Sequence, residues 1–185
     1  MPESAALLMD LQVDFLAPSV ALMPVDATDA DRIVETANAV LAGRTLASSL
    51  PVLVINQFPS TDRLANFFRH GAAIAGSIGA QLDDRVLAGP GVRVFSKQRP
   101  SAFTNPELDP YLRSNGVKQL YVFGVFAEGC VRATALDAKR HGYSVVVPID
   151  AIGTNSVMKR RFAQWAMRRS GVTLVPSLLA PTPAT

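Results

Sequence analysis

Six short apolar runs, "ALLMDL", "VLVINQF", "VRVFSK", "LYVFGVF", "SVVVPID" and "VTLVPS", recur along the chain, and most are continuous rather than alternating. A strand with one wet face alternates apolar and polar residues, whereas a continuous β-branched run is apolar on both faces and needs cover on both. That requirement points to a parallel sheet with helices on either side. The segments between the runs supply the helices. Ile33, Ala37, Val40 and Leu41 form one apolar stripe, and Thr28 with Asp31 predicts a capping box at its start. Asn105 as N-cap and Pro106 as first helical residue predict a crossover helix over 107–115, ended by Gly116. Two further helices are expected from Glu128 to His141, ended by Gly142, and from Ser156 to Arg169, ended by Gly171.

Strand and helix therefore alternate, except over residues 59–88, where Phe67, Phe68, His70 and several glycines show no clean period and no element is assigned. Alternation of this kind implies right-handed crossovers. The expected fold is a three-layer α/β/α, doubly wound, mostly parallel six-stranded sheet of Rossmann-like type. Residues 1–180 are expected to form one domain, with 181–185 in "APTPAT" as a flexible tail.

Composition excludes several function classes. The chain has 185 residues, enough to bury a core without disulfides or metals, and 49% of them are apolar. No run reaches the length of a membrane span, and "AALLMDLQ" lacks the basic start of a signal peptide, so a soluble, cytoplasmic protein is expected. Net charge is only +3, and the basic cluster "MKRRFAQWAMRRSG" reads as a solvated helix face rather than a nucleic-acid surface. One cysteine, Cys130, forms no internal disulfide and no CxxC motif.

In open parallel sheets, ligands bind beyond the carboxyl ends of the strands. The first run ends at Asp10, the third at Lys97, and the fourth runs into a turn that delivers Cys130 to a helix start. A carboxylate, an ammonium and a thiol thus share one edge. An ordinary thiol is only a few per cent ionised at neutral pH, and a helix N-terminus contributes about 0.3–1 kcal/mol, less than one pKa unit. A nucleophilic Cys130 therefore needs Asp10 to accept its proton and Lys97 to favour the thiolate while keeping Asp10 ionised. Singly, each residue has a plainer role as a small hydrophobe, a turn residue or a surface charge. Their joint placement favours the site.

These stretches resemble the isochorismatase-like cysteine hydrolases, a family that includes nicotinamidases and carbamoyl-amide hydrolases. "LLMDLQVDFL" resembles the family's opening strand with its aspartate at Asp10, and "VFSKQRPSAF" its lysine strand at Lys97. "GVFAEGCVRATALDAKRHGYSVVVPIDA" resembles the nucleophile segment through strand, turn, helix and next strand. The resemblance implies a cis peptide at Val125–Phe126 and an oxyanion hole of backbone N–H groups from Phe126 or Ala127 together with Cys130. It also implies a homodimer or homotetramer, with Phe162 and Trp165 open to either an interface or the core.

The departures are informative. Nicotinamidases carry an aspartate and two histidines for a metal after the second strand, whereas "NQFPSTDRLANFFRH" offers only Asp62 and His70. No metal and no other cofactor is expected. The family's usual threonine in the turn is replaced by Ala127. Isochorismatases that cleave a vinyl ether often lack the cysteine, and the amide and ureide hydrolases depend on it, so Cys130 points to C–N bonds in a small-molecule substrate. The expected function is a metal-independent cysteine hydrolase of a small amide, ureide or carbamoyl compound acting through a thioester. The alternatives are a vinyl ether hydrolase with Cys130 as bystander, and a non-catalytic oligomeric member. Phe15, Phe103 and Phe126 lie near the motifs and can wall a pocket or fill the core. Arg99 can meet a substrate carboxylate or solvent, and Gln12 can contact substrate or support Asp10.

Overall fold

The structure, a computed structural model, describes residues 2–179; the expected tail at 181–185 lies outside the described residues. Each of the six apolar runs forms a strand: β1 (Ser4–Met9), β2 (Ser49–Asn56), β3 (Arg93–Lys97), β4 (Gln119–Val125), β5 (Ser144–Pro148) and, last in the chain, β7 (Thr173–Val175). A seventh strand, β6 (Ile152–Gly153), pairs with β4 after the turn that follows Pro148; two residues are too few to leave a pattern in sequence. The pairings between these strands are all parallel, in the order β3-β2-β1-β4-β5-β7. β1 and the centre of β4 are almost wholly buried, as continuous runs require.

The chain winds outward from β1 through β2 to β3, then returns to the other side of β1 and winds outward again from β4. Right-handed crossovers therefore place helix α2 (Ala27–Leu41) on one face and α4 (Leu108–Ser114), α5 (Arg132–Arg140) and α6 (Val157–Arg169) on the other. The reversal leaves a crevice between the carboxyl ends of β1 and β4, the place where such sheets bind ligands.

The helix starts differ in detail from expectation. The Thr28–Asp31 capping box does not form. Asp26 holds the N-cap position, without a side-chain bond, so Thr28 lies inside the first turn; Asp29 bonds the Thr154 N–H and Arg160, and Asp31 pairs with Arg85. Asn105 accepts a hydrogen bond from the Glu107 N–H at 2.9 Å, a local turn that delays α4 until Leu108. The expected helix over 128–141 is a wide turn, Ala127–Val131, followed by α5. α6 begins one residue after the expected Ser156, which caps it by accepting from the Lys159 N–H.

Residues 59–88 hold two short elements that their sequence did not announce, α3 (Arg63–Phe68) and a 3-10 turn at Ile78–Ala80; the first turn after β1 likewise forms a short helix, α1 (Val13–Leu16). Only the end of this segment meets α2, where Asn38 donates to the Arg85 carbonyl and accepts from the Leu87 N–H. No helix among the described residues is long and apolar enough to cross a membrane.

Candidate active site

Four side chains meet at the crevice. β1 releases the chain at Asp10, whose φ of +56° lies in the left-handed region that aspartate tolerates better than most residues. The turn closes when the Gln12 N–H donates to the Asp10 carbonyl at 2.8 Å, and the Asp10 carboxylate is left fully buried. β2 ends at Asn56 and β3 at Lys97, which face each other as register partners. β4 brings the chain to Cys130 through Gly124, which pairs with Met9. A Cβ at Gly124 would lie 2.1 Å from the Met9 carbonyl oxygen, and its φ of +123° suits no L side chain, so only glycine lets β4 pass this close to β1.

Lys97 is the hub of the cluster. Its Nζ donates to Asp10 Oδ2 at 3.0 Å, to Asn56 Oδ1 at 2.7 Å and to Cys130 Sγ at 3.2 Å. An ammonium has three protons, and all three have acceptors. Asp10 Oδ1 is buried without a hydrogen-bond partner among the described residues. A buried carboxylate oxygen without a donor is costly, and this cost favours the protonated carboxyl.

Burial pushes the Asp10 carboxyl above the usual carboxylate range, opposed by the Lys97 charge and by the polar groups of Cys130, Lys97 and Asn56 beside it. Burial would lower the Lys97 ammonium, but the adjoining Asp10 and Cys130 outweigh it and hold the group raised, so Lys97 stays charged. The Cys130 thiol is pushed up to about 12, first by burial and then by the Asp10 charge, against the pull of Lys97. Burial thus favours the protonated thiol at rest, and the Asp10 carboxyl, its basicity raised by the same burial, lies beside it.

The turn supplies donors. The Val125–Phe126 peptide is cis. The Phe126 carbonyl accepts from the N–H groups of Gly129 and Val131, while those of Phe126, Ala127 and Glu128 take no part in the turn's backbone hydrogen bonds. Phe15 meets the Phe126 ring edge to face, with centroids 5.6 Å apart, and so lies beside this turn.

The other candidate residues separate. Gln12 is fully buried, and its amide is engaged with backbone: Nε2 donates to the carbonyls of Asn56 and Ala80, and Oε1 accepts from the Asn56 N–H. It supports the ends of β1 and β2. Phe103 stacks on His141 at 4.6 Å and lies 5.9 Å from Tyr143, which puts its ring at the end of α5 opposite Cys130. Arg99 is exposed and lines a hollow with Ser96, Thr104 and Asn105. Asn56 was not among the expected residues, although "VLVINQF" carries the same signal as the other runs, a polar residue at a strand's carboxyl end.

The donor set does not suit a metal. Among the described residues no group of three His, Cys, Asp or Glu side chains could hold an ion. Asp62 caps α3 by accepting from the Ala65 N–H and pairs with Arg69, and His70 is exposed.

The fold agrees with the comparisons. Residues 4–177 match the Isochorismatase domain, and the chain belongs to that family, a family of hydrolases. It is 31% identical over 202 residues to streptothricin hydrolase of Streptomyces noursei, a match covering 99% of this chain and 74% of that protein. It is 42% identical over 79 residues to N-carbamoylsarcosine amidase of Arthrobacter, a stretch spanning 43% of this chain and 30% of that amidase. The pyrazinamidase of Pyrococcus horikoshii, solved in complex with zinc, is similar with a TM-score of 0.82 and 29% identity, over 94% of this chain and 99% of that one.

Proposed function

We propose that the protein is a metal-independent cysteine hydrolase that cleaves the C–N bond of a small amide, ureide or carbamoyl compound. The observation that carries this reading is the contact of one buried ammonium, Lys97, with both the Asp10 carboxylate and the Cys130 sulfur. The amidase name of one relative supports the same bond type, and the hydrolase name of the other supports hydrolysis.

The sulfur of Cys130 attacks the substrate carbonyl carbon while its proton passes to Asp10. The carbonyl electron pair moves onto oxygen, where N–H groups from Phe126, Ala127 and Cys130 form the oxyanion hole; losing one such donor costs ~10²–10³-fold in turnover. Collapse of the adduct breaks the C–N bond, and the leaving nitrogen takes the proton from Asp10, so a primary amide releases ammonia and leaves a thioester. Water then attacks the thioester, giving its proton to Asp10. The C–S bond breaks, and the thiolate recovers that proton. Lys97 stays charged throughout and stabilises the thiolate whenever it forms.

Ammonia release from a panel of primary amides, ureides and carbamoyl compounds, with chelator present, tests the reading. The expected outcome is turnover of at least one compound that chelator leaves unchanged, cut by roughly 10³-fold or more in Asp10→Asn. Stoichiometric zinc in the purified protein, with activity lost on its removal, would refute the metal-independent part.

A further inference from the structure

We propose that Asn56 is the positioning residue of this site: it anchors the Lys97 ammonium between Asp10 and Cys130 and turns its amide N–H toward the sulfur. The inference rests on the reading of Cys130 as nucleophile and adds a residue that the Asp10, Lys97 and Cys130 arrangement does not require on chemical grounds alone. Of the three acceptors around Lys97 Nζ, Asp10 and Cys130 exchange a proton during the reaction, so the charge on each changes. Asn56 Oδ1, at 2.7 Å the shortest of the three contacts, is the one whose charge stays constant. It holds Nζ in place while the other two alternate.

The orientation of the Asn56 amide is determined by its neighbours. Lys97 can only donate, so the amide oxygen faces it, and Nδ2 then points at Cys130 Sγ from 4.0 Å. The residue is itself immobilised: its backbone N–H and carbonyl are both bonded to the Gln12 side chain at 2.8 Å, and only 3% of its surface is exposed. Strand register fixes the rest, because Asn56 and Lys97 are direct partners on neighbouring parallel strands. The amide thus matches a cation on one side and a developing thiolate on the other. A carboxylate of the same shape would keep the first match and reverse the second, since an oxygen would then face the sulfur.

The test compares Asn56→Asp and Asn56→Ala with wild type in two assays. One is turnover of the best amide from the panel, and the other is the rate of Cys130 alkylation by iodoacetamide at a fixed pH of about 8, which needs no substrate. Asn56→Asp is expected to lower kcat by ~10-fold or more with KM within about threefold, and to slow alkylation by roughly tenfold, the equivalent of a tenfold loss of thiolate. Asn56→Ala should lower kcat similarly and slow alkylation less, since it removes the amide without adding a charge. If Asn56→Asp fails to fold, Asn56→Ala decides the matter. Folded variants with the wild-type alkylation rate and kcat within about twofold would overturn the proposal. Because alkylation is read without turnover, that result stands apart from failure of the nucleophile reading, which would appear as full activity in Cys130→Ala.

Discussion

The carboxyl edge of the sheet and the segment over 59–88 are both built largely from irregular backbone, yet they are held in different ways. At the edge, Asp10, Asn56 and Lys97 stand on or directly after strand ends, so sheet register alone brings them to within 3.0 Å of one another's polar atoms through Nζ. The segment adds no strand to the sheet. It is tied to the exit of β1 by an isolated antiparallel bridge at Gln12–Leu82, in which the Val13 N–H donates to the Gln81 carbonyl and the Asp83 N–H to the Leu11 carbonyl, and by the Ala73 N–H donating to Asp14 Oδ2 at 2.8 Å. Its outer face leaves Leu64, Phe67, Phe68 and Ile78 each more than two-thirds exposed. A site carried on strands is specified by the core that forms the strands, whereas a covering segment depends on a few tethers that can be cut singly.

That difference predicts a graded series of effects. Gly124→Ala acts on the edge and meets the Met9 carbonyl and an unsuitable φ together, so a loss of at least about 4 kcal/mol is expected, read as a collapse of the urea midpoint. A stability within 1 kcal/mol of wild type would show that β1 and β4 can separate here. Asp14→Ala acts on the segment. It removes the acceptor of a buried N–H, for an expected cost of about 1–3 kcal/mol. Hydrogen exchange should quicken around Ala73 while the strands keep their protection; uniform quickening would mean that segment and sheet unfold as one unit.

The segment should also respond to acid. Burial would raise the Asp83 carboxyl, but hydrogen bonds from the Arg85 side chain and N–H, with its charge, outweigh that and hold it below the usual range. A carboxylate lowered in the folded state contributes fully above its unfolded pKa of ~3.9, and the contribution is lost as pH falls through the lower folded value. Wild type should therefore lose more stability than Arg85→Met between pH 5 and about 3, as followed by urea unfolding. Equal losses would assign the acid sensitivity elsewhere.

How far the sequence could be read follows the same division. The six runs, the crossover order they imply, and Asp10, Lys97 and Cys130 were legible because burial on both faces leaves a continuous pattern and strand ends are then identifiable. Asn56 carried the same signal but a neutral amide attracts less notice than a charge beside a thiol. The turn at Val13–Leu16 was not legible, since its residues answer to distant partners such as Gln81 and Arg85, and Arg63–Phe68, capped locally by Asp62, is too short to show a period of its own. Thr28 illustrates the opposite error, a local signal overridden when the helix starts with Asp26 at its N-cap and Asp31 pairs with Arg85. Thr28→Ala should consequently change stability by less than about 0.5 kcal/mol, the smallest effect in the series, and a loss near 1 kcal/mol would restore the capping box.

The central claim is that Cys130 forms a covalent bond to the substrate's acyl carbon, and acid-quenched intact-protein mass after mixing with the best primary amide tests it most directly. The account predicts an adduct of the acyl mass on the peptide containing Cys130, formed together with a burst of ammonia of about one equivalent per site. Ammonia released at an unchanged rate by Cys130→Ala, with no adduct on the wild type, would contradict it.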